Sequence, residues 1–92
     1  MQKYKAIIIG NNPTVNHYIC QNGICRNTLT GAEVEQDDLM EDSEADAILA
    51  LKARLRSQIA FLQEELKVQT DKPILGRART LIRKYEQFLR TL

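Results

Sequence analysis

The first residues of the chain have the pattern of a β-strand. Residues 4–9 (YKAIII) are a short apolar and β-branched run, and residues 10–13 (GNNP) follow it directly. Such a run closed by Gly, Asn and Pro is typical of a strand and a turn. The three consecutive isoleucines favour a strand that is covered on both faces.

A hairpin is predicted over residues 15–30. Asn22-Gly23 lies at its centre, and this dipeptide is the strongest short-range signal for a two-residue type I′ turn, in which both central residues need positive φ. Counting outward from the turn places Cys20 opposite Cys25. With the strand at 4–9, the hairpin would give a three-stranded antiparallel sheet, because two strands alone are marginally stable.

Two helices are predicted in the second half of the chain. The first starts near Asp42 or Ser43, where Ser43 and the acids after it resemble a capping box. It runs to about Gln69, and its length is about 40 Å at 1.5 Å per residue. Its apolar stripe consists of Ile48, Leu51, Leu55, Ile59, Leu62 and Leu66. The second helix begins at Pro73, which suits a first turn, and runs to the C-terminus with a broad apolar stripe that includes Phe88.

These elements define the expected architecture. The loop between the helices is short, so the helices should pack antiparallel as a hairpin. The fold class is therefore α+β: a short N-terminal antiparallel β-sheet, followed by a long antiparallel two-helix hairpin. We expect one domain over residues 1–92, with a β-rich segment at 1–32, an acidic connector at 33–42 and the helical hairpin at 43–92.

The first helix carries a second weakly polar face. A helix with one apolar stripe needs one neighbour, whereas a helix with two needs two. The second neighbour is either the sheet or another copy of the chain. Because a six-residue strand is much shorter than this helix, we expect a homo-oligomer, most simply a two-fold dimer. The predicted interface is the small-residue face, which we define as Ala50, Ala53, Ser57, Ala60 and Phe61, with Val68 beyond it.

The formal net charge of +1 conceals three blocks of opposite sign. Residues 1–32 carry three bases and no acid, residues 33–46 carry eight acids and no base, and residues 47–92 carry ten bases and four acids. Such blocks of like charge determine the local electrostatic potential and the attraction of charged partners, but they do not determine the fold. The acidic block is interpreted as a solvated connector with helix-capping acids, and docking onto the chain's own basic helices is a further interpretation.

Arginines form the most promising polar surface. We define the arginine ridge as Arg79, Arg83 and Arg90, which share one exposed face of the second helix and are interrupted by Glu86. Arginine favours bidentate contacts with phosphate or carboxylate. The ridge is either a solvated helix face or a site for nucleic acid or a small anionic, nucleotide-like ligand. The full set of anion-binding candidates is Arg77, Arg79, Arg83, Lys84 and Arg90.

The two cysteines and the single histidine are the remaining candidates for chemistry. Cys20 and Cys25 are expected to be two buried thiols in a reducing compartment, and a cross-strand disulfide is the alternative. Adding His17 gives His-x2-Cys-x4-Cys, but residues three apart in a strand point to opposite faces, and a fourth ligand is missing. We therefore expect no metal and interpret His17 as a surface or sheet-edge residue.

No catalytic or cofactor motif is present, so we expect neither an enzyme nor a cofactor. The acidic block lacks the spacing of a calcium loop, and residues 10–14 lack the glycines and lysine of a phosphate-binding loop. No apolar run reaches the roughly 20 residues that span a bilayer. The sequence thus predicts a cytoplasmic, non-enzymatic, homo-oligomeric regulatory protein that engages another protein, with an anion-binding role as the alternative.

Overall fold

A computed structural model describes all 92 residues. It confirms the α+β class, with an antiparallel sheet at the N-terminus followed by two helices. The chain divides into two compact units, Met1–Leu51 and Lys52–Leu92. The sheet has four strands in the order β1-β2-β3-β4, each paired antiparallel with the next. The elements are β1 (Gln2–Ile9), β2 (Asn12–Gln21), β3 (Ile24–Asn27), β4 (Glu33–Glu35), α1 (Glu44–Val68) and α2 (Lys72–Thr91).

The β1–β2 connection is tighter than the sequence pattern predicts. Only Gly10 and Asn11 form the turn, with φ of 53° and 69°, so β2 begins at Asn12 rather than near residue 15. Pro13 is therefore inside a strand, opposite Ile8. Proline has no N–H to donate to a neighbouring strand. It is tolerated at position 13 because β3 pairs only with residues 18–21 of β2, so β3 does not pair with Pro13 on the side away from β1.

The β2–β3 hairpin confirms the predicted turn and register. Asn22 and Gly23 have φ of 54° and 80°, and both positive values are what a type I′ turn requires. Cys20 pairs with Cys25. Both cysteines are buried and belong to a core cluster with Tyr18 and Met40.

A fourth strand forms inside the segment that the sequence predicts to be a connector. Residues Glu33–Glu35 pair with β3 and place Val34 opposite Cys25. A 2.7 Å ion pair joins Arg26 to Glu33 across the two strands. The pairing occupies the backbone groups on the outer edge of β3, which would otherwise be unpaired.

The rest of the acidic segment crosses the sheet. The N–H of Gln36 donates to Gly23, the Met40 side chain lies in the core cluster, and Glu41 exchanges two backbone hydrogen bonds of 2.8 and 2.6 Å with Tyr4. The segment therefore runs from the β3–β4 side of the sheet to β1, over the face that carries Cys20.

Two lysines of β1 hold this crossing segment. Lys5 donates to Asp37 and Lys3 donates to Asp42, both at 2.5 Å. The hydrogen bond from Lys5 is the main reason why the pKa of Asp37 is lowered from its ordinary value, and the N–H of Leu39 stabilises the same carboxylate. Two acids of the acidic block are thus paired with β1, and docking of this block onto the basic helices stays a prediction.

The helix α1 starts and ends close to the predicted positions. The Ser43 hydroxyl accepts a 3.1 Å hydrogen bond from the Asp46 N–H, which is the N-cap contact of a capping box. The helix ends at Val68, one residue before the predicted end. Its buried residues recur every four positions and form one side of the helix. They are Ala47, Leu51, Leu55 and Ile59.

The helix α2 begins after a three-residue connection at 69–71. Pro73 lies in its first turn, as the sequence predicts, and Asp71 is its N-cap residue. Ala78, Ile82 and Tyr85 are its buried residues. Burial also raises the pKa of the Tyr85 hydroxyl, since a phenolate would lose its hydration there.

Candidate interaction surfaces

The small-residue face of α1 is exposed along most of its length. Ala53, Ser57 and Ala60 are exposed, and Ala50 is half-buried. Phe61 exposes 61% of its surface, which is far more than a large aromatic side chain usually leaves in water. On the 3.6-residue helical period these positions lie on roughly the opposite side from the buried stripe.

The structure adds Leu49 to this face at its N-terminal end and shows that Val68 beyond its other end is exposed. Leu49 is 62% exposed and Val68 is 73% exposed, and both fall on the same side of α1 as Ala53. The sequence analysis does not assign Leu49 to this face, although the helical period places it beside Ala53 and away from the buried stripe.

Charged residues limit the apolar length of the face. Asp46 and Glu64 lie on the same side of α1 as Ser57, and Glu64 accepts a 3.0 Å hydrogen bond from Lys67. The part of the face without a charged side chain therefore runs from Leu49 to Phe61, with the hydroxyl of Ser57 as its one polar group. It is about 18 Å long at the rise of an α-helix.

The arginine ridge is brought together as the sequence predicts. Arg79, Arg83 and Arg90 are exposed on one side of α2, and none of them forms an ion pair. The other two anion-binding candidates are elsewhere on the helix: Arg77 is exposed on another side, and Lys84 is half-buried. The ridge is consequently a set of three arginines rather than five basic residues.

A shallow depression lies near the end of α2, on a side that does not include the three ridge arginines. Its volume is about 290 Å³, and it is lined by Lys84, Gln87, Phe88 and Thr91. The Thr91 hydroxyl donates a hydrogen bond of 2.8 Å to the Phe88 carbonyl. Sequence reasoning assigns Phe88 to the apolar stripe only, and no local signal marks Gln87 or Thr91 as lining residues.

The thiol pair is a disulfide in the structure. Cys20 and Cys25 are bonded, with 4.0 Å between their Cα atoms, where the sequence favours two thiols. The exposed fractions are 4% for Cys20 and 0% for Cys25. A bond at this depth is shielded from solvent thiols while the sheet stays folded.

His17 is neither a surface residue nor a sheet-edge residue. It is half-buried on β2, and its ring stacks on Tyr4, the residue opposite, with centroids 4.7 Å apart. Its Nδ1 is 3.3 Å from the Thr28 hydroxyl, and its Nε2 is buried without a hydrogen-bond partner. The strand alternation directs His17 away from the face that carries Cys20.

The sheet also has an open area on the face that carries His17. A shallow depression of about 470 Å³ is lined by Ile19, Gln21, Ile24, Arg26 and Glu33. Ile19 and Ile24 are 55% and 46% exposed. Arg26 and Glu33, which line this depression, form an ion pair with each other.

The charge is separated between the two units. Met1–Leu51 holds three bases and eight acids, a net charge of −5, and Lys52–Leu92 holds ten bases and four acids, a net charge of +6. Three of the acids in the first unit are paired with its own three bases. These three ion pairs join the acidic block to strands β1 and β3.

Comparisons with known proteins add no further constraint. No family model matches the chain, and neither the curated proteins nor the solved structures contain a significant match. Neither α1 nor α2 has an apolar stretch of the length and low charge that crossing a bilayer requires.

Proposed function

We propose that this chain is a non-enzymatic, homo-oligomeric interaction protein that associates through α1 and serves a regulatory role by engaging another protein. The observation that carries the proposal is the exposed apolar side of α1 between Leu49 and Phe61. Soluble monomers rarely leave a continuous apolar surface of this kind uncovered.

The chemistry of the small-residue face suits helix-to-helix packing. Ala53, Ser57 and Ala60 have short side chains, so a second backbone can approach closely at these positions. Leu49 and Phe61 lie at the two ends of the stretch and supply the apolar area. Removing one such side chain from water stabilises a complex by about 1.5–3 kcal/mol if it becomes fully covered.

A two-fold pair is the simplest assembly. In such a pair one surface covers itself, and an antiparallel arrangement centred level with residue 55 would place Phe61 of one copy beside Leu49 of the other. The two exposed apolar ends would then cover each other, and Ser57 would lie beside Ala53.

The non-enzymatic part of the proposal is supported by the environment of His17. Its ring is engaged by Tyr4 and by the Thr28 hydroxyl. No carboxylate or cysteine takes part in this arrangement, which is what a general base in a catalytic group would need. Its role is therefore proposed to be structural.

A charge placed on the small-residue face tests the proposal. Phe61→Glu and Ala53→Glu should each shift the sedimentation coefficient from that of the assembly to that of the monomer, because a carboxylate would be buried at the contact. Circular dichroism should show unchanged helix content, since both positions are exposed within one chain.

Gln58→Glu is the matched control. Gln58 is exposed on another side of α1, and the variant introduces the same charge in the same helix. It should sediment as the wild type does. Equal sedimentation of Phe61→Glu and the wild type would contradict the proposed interface.

The cytoplasmic location stays a prediction. A lasting disulfide is more usual in oxidising compartments, so the redox state of Cys20 and Cys25 in the cell bears directly on it. Alkylation of intact cells followed by mass measurement would show two blocked thiols in a cytoplasmic protein. A bonded pair would indicate an oxidising compartment instead.

A further inference from the structure

We propose that the Cys20–Cys25 disulfide is a redox site, and that the crossing segment, residues 36–42, controls its reduction by a dithiol reductant. The site lies on the sheet of the first unit and does not involve the small-residue face of α1. It is therefore independent of the proposed self-association.

The crossing segment supplies part of the cover over the disulfide. Cys20 and Cys25 are buried in one cluster with Tyr18 and Met40. Tyr18 belongs to β2, the strand of Cys20, whereas Met40 belongs to the crossing segment. A thiolate must reach the sulfur that it attacks, so the bond is protected from thiols as long as Met40 stays in this cluster.

The crossing segment is held by fewer backbone hydrogen bonds than the strands beneath it. At one end the Gln36 N–H donates to the Gly23 carbonyl, and at the other end Glu41 exchanges two hydrogen bonds with Tyr4. β1 and β2, in contrast, pair along the whole length of β1. A segment with few hydrogen bonds opens at a lower free energy than the paired strands of a core, so the crossing segment is expected to open first.

Two ion pairs add to this attachment, and both have an acid that is open to solvent. Lys3 binds Asp42, whose side chain is 83% exposed, and Lys5 binds Asp37, whose side chain is 40% exposed. Exposed ion pairs contribute little each and are weakened by salt. Small changes in charge or ionic strength should therefore shift the crossing segment between its closed and open positions.

The strands that carry the cysteines have separate support. Cys20 pairs with Cys25, and Cys25 pairs with Val34 on its other side. The Cys20 N–H also donates a 2.7 Å hydrogen bond to the Met1 carbonyl. None of these contacts involves the crossing segment, so its release uncovers the disulfide without separating β2 from β3.

Reduction then follows the course of thiol–disulfide exchange. One thiolate of the dithiol attacks a sulfur of the pair, the Cys20–Cys25 bond breaks, and the other cysteine leaves as a thiolate. The second thiolate of the reductant attacks the resulting mixed disulfide and releases the second cysteine. The cysteines thereby gain the two electrons and two protons that the dithiol loses as it becomes a disulfide.

Reduction under native conditions tests the proposal. The oxidised protein is incubated with excess dithiothreitol without denaturant, free thiols are trapped with iodoacetamide, and mass spectrometry measures the reduced fraction over time. Asp37→Asn with Asp42→Asn removes both lysine ion pairs and should accelerate reduction about fivefold, the combined effect of two exposed pairs. High salt should accelerate reduction of the wild type more than that of this variant, because only the wild type has the pairs to screen.

Glu35→Gln with Asp38→Asn is the matched control. It changes the net charge by the same amount, at exposed positions that form no ion pair. It should be reduced at the rate of the wild type. This comparison separates release of the crossing segment from a general change in the attraction of the dithiothreitol thiolate.

Substitution of Met40 tests the cover itself. Met40→Ala removes the side chain that the crossing segment contributes to the cluster, and it should accelerate reduction although both lysine ion pairs are retained. Met40→Leu keeps an apolar side chain of similar volume and should protect the bond as the wild type does.

The urea dependence of the reduction rate separates release of the crossing segment from unfolding of the whole chain. The slope of the logarithm of the rate against urea grows with the surface that the opening exposes. Release of the segment should therefore give a much smaller slope than global unfolding, which circular dichroism measures. This readout needs only the wild type and stays decisive if a variant is unstable.

Three results would overturn the proposal. They are equal reduction rates for the wild type and Asp37→Asn with Asp42→Asn, a urea slope equal to that of global unfolding, and the absence of the disulfide from air-oxidised protein.

Discussion

Cys20 and Cys25 lie directly opposite each other on β2 and β3, and their sulfurs are bonded across the two strands. The pair is buried against Tyr18 and Met40, so it links the hairpin to the segment that crosses the sheet. Because the two cysteines are five positions apart, the bond closes only a short loop of the unfolded chain, and its stabilising effect is small for a disulfide.

Removing the disulfide should lower the free energy of unfolding without preventing folding. For Cys20→Ala with Cys25→Ala we expect a loss of about 2 kcal/mol, the value for closing so short a loop. Dithiothreitol should lower the wild-type urea midpoint and leave the variant unchanged. If the reductant does not move the wild-type midpoint in urea, the bond contributes no stability.

Substitutions of the turn residue Gly23 and the helix residue Gly76 should change the stability of the protein in opposite directions. Gly23 has φ of 80°, so Gly23→Val should destabilise the protein by more than about 1 kcal/mol, because a β-branched residue resists positive φ. Gly76 lies inside α2 with open space around it, and Gly76→Ala should stabilise by about 0.5–1 kcal/mol. Thermal unfolding measures both. An unchanged midpoint for Gly23→Val would contradict the type I′ turn.

The N-cap of α1 should be sensitive to the side-chain oxygen of Ser43. Ser43→Ala removes the acceptor for the Asp46 N–H and should cost about 1 kcal/mol. Ser43→Asp supplies an equivalent acceptor and should retain the stability of the wild type. Equal denaturant midpoints for the alanine and serine proteins would show that this contact is not formed in solution.

The Lys5–Asp37 pair should make stability depend on acid pH. Lys5 lowers the pKa of Asp37 below its ordinary value of 3.8. The pair therefore stabilises the fold above that value, and its contribution is lost as the pH falls through the lower folded pKa. In Asp37→Asn the free energy of unfolding, measured with urea, should fall less at acid pH than it does in the wild type. Asp38→Asn, at an exposed neighbour, should leave the profile unchanged, and equal profiles for all three proteins would contradict the pairing.

The elements that the sequence predicts correctly are those determined by residues only a few positions apart in the chain. The turn at Asn22-Gly23 is determined by two adjacent residues, and the start of α1 by Ser43 with Asp46 three positions later. The stripe with Leu51 and Leu55 follows from the helical period. The spacing of the arginine ridge is readable for the same reason.

The missed features depend on contacts between distant residues. β4 forms because β3 offers an edge, and the crossing segment is held by Tyr4, which is far from Glu41 in sequence. Both stretches are too acidic and too short to show a strand pattern. The exposure of Leu49 and the depression at Phe88 likewise depend on which neighbours cover each helix, and the residues of one helix do not reveal this.

The mass of the native protein in solution tests the central claim most directly. Multi-angle light scattering at micromolar concentration should give about twice the chain mass of 10.5 kDa for the wild type, because we propose that a second copy covers the exposed side of α1 between Leu49 and Phe61. The Phe61→Glu variant should give the mass of a single chain. A wild-type mass of 10.5 kDa under these conditions would contradict the account.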